Sequence, residues 1–175
     1  MRGALVKYLG YSVILIVGLA LQTAAPSSLI MFGFQPELVL LLALLFALMQ
    51  GPLDGAIFGF FGGLMLDLLV GRFIGLRAIT IMLSSVGIGL VTNRLYKENF
   101  VVRFSAIFLG TLVGQILYLV GIVAFGRTVA WSLTTWRTIL GTSIFNGLLS
   151  VVLFRPFVAL NKRLIFWDEL FKRTG

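Results

Sequence analysis

One carboxylate stands well inside an apolar run of this chain. It is Asp67, near the end of Gly55-Ala-Ile-Phe-Gly-Phe-Phe-Gly-Gly-Leu-Met-Leu-Asp-Leu-Leu-Val-Gly-Arg-Phe-Ile-Gly75. An acid in hydrocarbon is expensive and usually has a task. One task is a proton relay or a counter-ion for a charged substrate. The other is structural, an ion pair with Arg72 or Arg77, both of which follow within ten residues. A lone acid with cations nearby favours the structural reading, since losing either partner would leave a buried charge uncompensated. Arg72 and Arg77 also suit snorkelling at a helix end. Covalent or metal chemistry has little to work with. Ser84 and Ser85 have no histidine to activate them, and the chain has neither His nor Cys. Asp54 falls in a turn, Glu37 at a helix start and Glu98 in a loop, so Asp67 has no second intramembrane acid beside it. No catalytic pair, metal site or cofactor is expected, and no Walker-type phosphate loop occurs.

The spacing around Asp67 says which element must carry it. Gly55, Gly59, Gly63 and Asp67 recur every four residues, which places three glycines and the carboxylate along one face of a helix. In lipid, such small residues let another helix approach closely. Gly110-x3-Gly114 and Ser143-x3-Gly147 repeat the pattern further on. With Gln22, Ser84, Ser85, Gln115, Asn146 and Ser150, they read first as helix packing with hydrogen bonds across a bundle. A polar lining around a ligand cavity is the alternative. Gly71 and Gly75 bracket a short connection and point to a sharp reversal, since glycine tolerates positive φ.

Composition places the bundle in a membrane. Apolar residues make up 59% of the 175, and charged residues only 11%, about half the usual share for a soluble domain. The net charge of +8 does not mark a nucleic-acid binder, because the cations sit in short segments between apolar runs. Six runs approach the length of a helical span, at about 8–25, 36–50, 53–70, 76–92, 101–125 and 139–157. The second begins with Pro36, a favourable first helical residue. Gly51-Pro-Leu-Asp54 reads as the tight turn before the third. The first run is read as a retained span and not a cleaved signal, since Pro26 would lie just past the cleavage site and the run is long.

With the amino terminus inside, the inner segments hold Arg2, Lys7, Arg94, Lys97, Arg103, Arg155, Lys162, Arg163, Lys172 and Arg173. The outer ones hold Arg72, Arg77, Arg127 and Arg137. Ten against four favours both termini in the cytoplasm. Trp131 and Trp136 suit an interfacial outer loop. Residues 1–157 thus form a six-span domain, and 158–175 a cytoplasmic tail helix. Phe157, Leu160, Leu164, Trp167 and Phe171 fall on one side of that tail. It reads as an interfacial helix on anionic lipid, with docking to a cytoplasmic partner as the alternative.

The pattern Gly-x3-Gly-Phe-x2-Gly-Leu-x2-Asp-Leu-Leu-x-Gly-x3-Gly-Leu from Gly55 to Leu76 resembles the signature of the MreD family. Gln35-Pro-Glu-Leu38 resembles a second family feature, with Glu37 where the family usually has Asp. Similarity in length and hydrophobic layout covers nearly the whole chain. The resemblance implies an all-α, six-helix integral membrane protein of the bacterial cytoplasmic membrane. It implies a non-enzymatic scaffold of the cell-elongation complex that supports rod shape and peptidoglycan synthesis. The implied direct partner is MreC, and through it the MreB filament and the RodA–transpeptidase pair. The family is also similar in layout to the substrate-binding subunits of energy-coupling-factor transporters, so a small-molecule transporter subunit is the second reading, with Trp131, Trp136 and Arg137 as its ligand contacts. Candidate structural or partner-binding residues are Pro36, Glu37, Gly55, Gly59, Gly63, Asp67, Gly71, Arg72, Gly75 and Arg77.

Overall fold

A computed structural model describes residues 2–24, 34–71, 73–92 and 99–173. All six elements are helices: α1 (Arg2–Thr23), α2 (Leu38–Gln50), α3 (Pro52–Val70), α4 (Leu76–Thr92), α5 (Phe100–Ala124) and α6 (Leu133–Arg173). Arg72, Arg94 and Lys97 lie outside the described residues, as do the side chains of Leu164, Trp167 and Phe171.

The shortest helix is at the centre. α2 has 13 residues and is apolar on every side, the pattern of a helix surrounded by protein. It packs against all five others, and Leu41, Leu44 and Leu45 are fully buried. At about 20 Å it is shorter than the hydrocarbon core of a bilayer, about 30 Å. Among the described residues, three helices are long and apolar enough to cross on their own: α3, α5 and the first 31 residues of α6. The apolar segments Leu9–Thr23, Leu38–Gln50 and Leu76–Thr92 are shorter. Large apolar side chains cover the outside: Leu68 and Leu69 of α3, Leu90 and Val91 of α4, Val113 of α5 and Val152 of α6 are all exposed. A monomer in water rarely leaves so broad an apolar surface uncovered, whereas lipid covers it without penalty.

Several boundaries differ from the sequence reading, among them the starts of α1 at Arg2 and of α6 at Leu133. Pro36 is not the first helical residue. α2 starts at Leu38 with Glu37 at its N-cap position, and Pro36 is buried just ahead of it. The turn between α2 and α3 shrinks to one residue. Gly51, at φ 109°, ends one helix and begins the next, while Pro52 opens α3. Leu53 and Asp54 therefore belong to the first turn of α3. The sixth run and the tail lie on one helix. α6 begins at Leu133 and runs through Pro156 to Arg173 as a single 41-residue helix. Proline removes one backbone donor, a loss that helices packed in a membrane tolerate.

The far part of α6 is tied to the bundle. Tyr11 of α1 donates its hydroxyl to Asn161 Oδ1 at 2.8 Å, Gln50 Nε2 donates to the same oxygen at 3.1 Å, and Gln50 also meets Tyr11. Below this knot, Phe46 is packed edge-on by Tyr11 and Phe157 and stacked on Phe58, with centroids 4.2–4.9 Å apart. Asn161→Ala is expected to lower unfolding stability by about 1–2 kcal/mol, because it removes the shared acceptor. Thermal unfolding in detergent measures it.

Candidate functional site

The small-residue face of α3 is filled from within the bundle. A Cβ added at Gly55 would come within 2.6 Å of Ala47 Cα on α2. One at Gly63 would come within 2.6 Å of Ala78 N and Cα on α4. Both contacts are with backbone, so no side-chain movement relieves them. Gly59 faces Ile81 Cγ2 at 2.9 Å and Ser85 Oγ at 3.2 Å, a softer surface. The four-residue spacing thus seats α3 against α2 at one end and α4 at the other.

That close approach lets Asp67 reach the start of α4. Asp67, 1% exposed, accepts backbone N–H bonds from Gly75 at 2.8 Å, Arg77 at 3.0 Å and Ala78 at 3.4 Å, all on Oδ2. The first N–H groups of a helix have no partner within it, and its amino end is electropositive. A carboxylate from the neighbouring helix answers both needs. The chain reverses sharply to bring it there: Gly71 takes the left-handed conformation at φ 66°, and Phe73 and Gly75 also have positive φ.

The expected ion pair between Asp67 and Arg77 does not form, and Arg72 lies outside the described residues. The Asp67 carboxylate is occupied by backbone donors. The Arg77 guanidinium instead stands 4.0 Å from Glu37 Oε1 and 4.7 Å above the Tyr118 ring. Glu37 brings with it the amino end of α2, which is capped in the same manner as α4. Gln22 of α1 accepts from Val39 N at 2.8 Å. Asn146 of α6 donates to the Glu37 carbonyl at 3.3 Å.

Pro36, Glu37, Asp67, Gly71, Gly75 and Arg77 therefore meet at one end of the bundle, while Gly55, Gly59 and Gly63 lead away from it along α3. A cavity of about 430 Å³ opens there, lined by Gln22, Pro36, Glu37, Arg77, Gln115 and Thr142 among others. A second recess of about 260 Å³ shares Glu37, Gln115 and Thr138 with it and adds Tyr118 and Thr135. Gln115 Nε2 is buried without a hydrogen-bond partner. The three threonines recur at three- and four-residue spacing on α6, a polar face visible in the sequence but not used in reading it. Trp131, Trp136 and Arg137 line neither recess and are exposed. Among the described residues, no three acidic, His or Cys side chains converge as a metal site.

A different recess lies in the side wall. It measures about 310 Å³ and is mostly apolar, with Leu15 and Ile16 of α1 on one bank and Ile57, Phe61 and Met65 of α3 on the other, and with Tyr11, Ser12 and Asp54 also in its lining. Phe46 and Phe58 form its floor.

The family described as rod shape-determining protein MreD matches residues 3–164. The chain belongs to the MreD family. Its role is accordingly in rod-shape determination, within a family of membrane proteins. No curated protein and no solved structure matches the chain.

Proposed function

We propose that this MreD-family chain is a non-enzymatic, multi-pass scaffold of the bacterial cytoplasmic membrane. Both termini lie inside, and it holds the single span of MreC. Through MreC it supports the MreB filament and the RodA–transpeptidase pair in peptidoglycan synthesis. The observation that carries the reading is the apolar recess between α1 and α3. The glycine face, the other place where a foreign helix would fit closely, is already filled by α2 and α4. The α1–α3 recess faces lipid, is walled by large apolar side chains and is floored by aromatic rings. A partner helix seated there gains van der Waals contact, which lipid chains fill less well. The test is co-purification of MreC with this protein carrying Phe61→Lys. Phe61 is exposed in the recess, so the fold is expected to survive while MreC recovery falls at least tenfold. Unchanged recovery would remove the recess from the interface.

The polar cavity favours a second reading, a small-molecule-binding subunit. It offers a guanidinium, a carboxylate and an unpartnered amide donor within one enclosure, as ligand sites do. Mass spectrometry of small molecules released from protein purified out of native membranes distinguishes the two. Stoichiometric release of one polar compound supports the second reading, and MreC as the main co-purifying species supports the first.

A further inference from the structure

At the far end of the bundle three cations share one recess. Arg103, Arg155 and Lys162 line a cavity of about 440 Å³ with Phe154, Val158 and Ala159. Gln115, at the polar cavity, lies about 18 Å further along α5, so the two recesses are separate. Among the described residues no acid lines this one. Arg103 is drawn inward: its guanidinium carbon sits 4.1 Å above the Phe154 ring, and its Nε is buried with no hydrogen-bond partner. A guanidinium N–H without an acceptor is a costly group to bury, and the neighbouring side chains on α6 are further cations.

We propose that this recess binds the phosphate headgroup of an anionic phospholipid, with Arg103, Arg155 and Lys162 as its ligands. The surroundings favour a lipid over a soluble anion. The floor is apolar, and Val152, one turn from Arg155 toward the middle of α6, is an exposed apolar side chain. A phosphate seated on the cations leaves its glycerol and acyl chains lying along that side of α6. Basic pockets between membrane helices take lipid headgroups in this way. Arg103 also lies in the first turn of α5, whose amino end favours negative charge.

The test uses the full chain purified in detergent, with dioleoyl-phosphatidylglycerol and dioleoyl-phosphatidylcholine as probes and native mass spectrometry as readout. Retention of phosphatidylglycerol over phosphatidylcholine is expected. Arg155→Gln with Lys162→Gln, both exposed, should weaken phosphatidylglycerol binding roughly thirtyfold without changing the melting temperature measured in the absence of lipid. Arg127→Gln, at the opposite end, should leave binding unchanged. Arg103→Lys keeps the charge and should bind more weakly than wild type but more tightly than the double variant. Equal retention of the two lipids, or unaltered binding by the double variant, would overturn the proposal. Displacement of the lipid by millimolar inorganic phosphate would overturn it in favour of a soluble phosphate ligand. Displacement by hexaglutamate would do so in favour of an acidic peptide.

Discussion

Gly63→Leu is expected to abolish the folded protein. The Cβ alone would stand 2.6 Å from the Ala78 backbone, so α3 and α4 must separate before any rotamer of the longer side chain is accommodated. Overpacking of this kind costs about 3 kcal/mol or more, and the separation also withdraws Asp67 from the amino end of α4. Gly63→Ala should retain the fold with a loss of about 2 kcal/mol. Gly59→Ala should cost less, because Ile81 Cγ2 and Ser85 Oγ are side-chain atoms that can shift. The control is Gly87→Leu. Gly87 has no atom within 4 Å of its added Cβ, and its substitution should be nearly neutral. Yield of monodisperse protein and thermal unfolding in detergent rank the four. If Gly63→Leu folds normally yet loses MreC, the glycine face is the partner interface and the packing described above is wrong.

The second large effect is at Asp67. Asp67→Ala leaves the N–H groups of Gly75, Arg77 and Ala78 buried without an acceptor, an expected loss of about 3 kcal/mol. Asp67→Asn keeps one carbonyl oxygen for those donors and loses the anion's attraction to the helix end, so its cost should be about half as large. A proton-relay role predicts otherwise, with stability intact and function lost on Asp67→Asn. A double-mutant comparison separates capping from ion pairing. Arg77→Gln should couple more strongly to Glu37→Gln than to Asp67→Asn, because the guanidinium faces Glu37. Stronger coupling to Asp67 would restore the ion pair.

These two sites mark where the sequence was legible. The spacing of Gly55, Gly59, Gly63 and Asp67 is a property of one helix, so its shared face could be read from the chain alone. What met that face could not. The partners of Asp67 are backbone N–H groups, which every residue but proline possesses, so no residue type nearby announced them, whereas Arg72 and Arg77 looked like partners. Gln22 poses the same problem, since its bond is to the backbone of Val39. α2 was read as a span because an apolar segment looks alike whether lipid or protein surrounds it. Its 13-residue length emerges only with the structure, since Pro36 and Glu37 are counted into the apolar run. A tail is set apart at Phe157 because its apolar residues fall on one side with cations elsewhere, and that pattern does not show whether the helix before it continues. The knot of Tyr11, Gln50 and Asn161 joins residues up to 150 positions apart, and no local pattern encodes that. The meeting of Glu37, Arg77 and Gln115 from three helices was equally hidden, although each was visible as a polar residue.

The partner's span is expected in the α1–α3 recess and not on the glycine face. The chain has no cysteine, so single cysteines can be placed without background. Cysteine at Ile16, Phe61 or Met65 should form disulfide crosslinks with cysteines along the MreC span in native membranes, in a helical three- and four-residue periodicity. Cysteine at Leu90 of α4 or Val113 of α5, equally exposed to lipid, should not. Crosslinks confined to Leu90 or Val113, with none from α1 or α3, would place the MreC span elsewhere on the bundle.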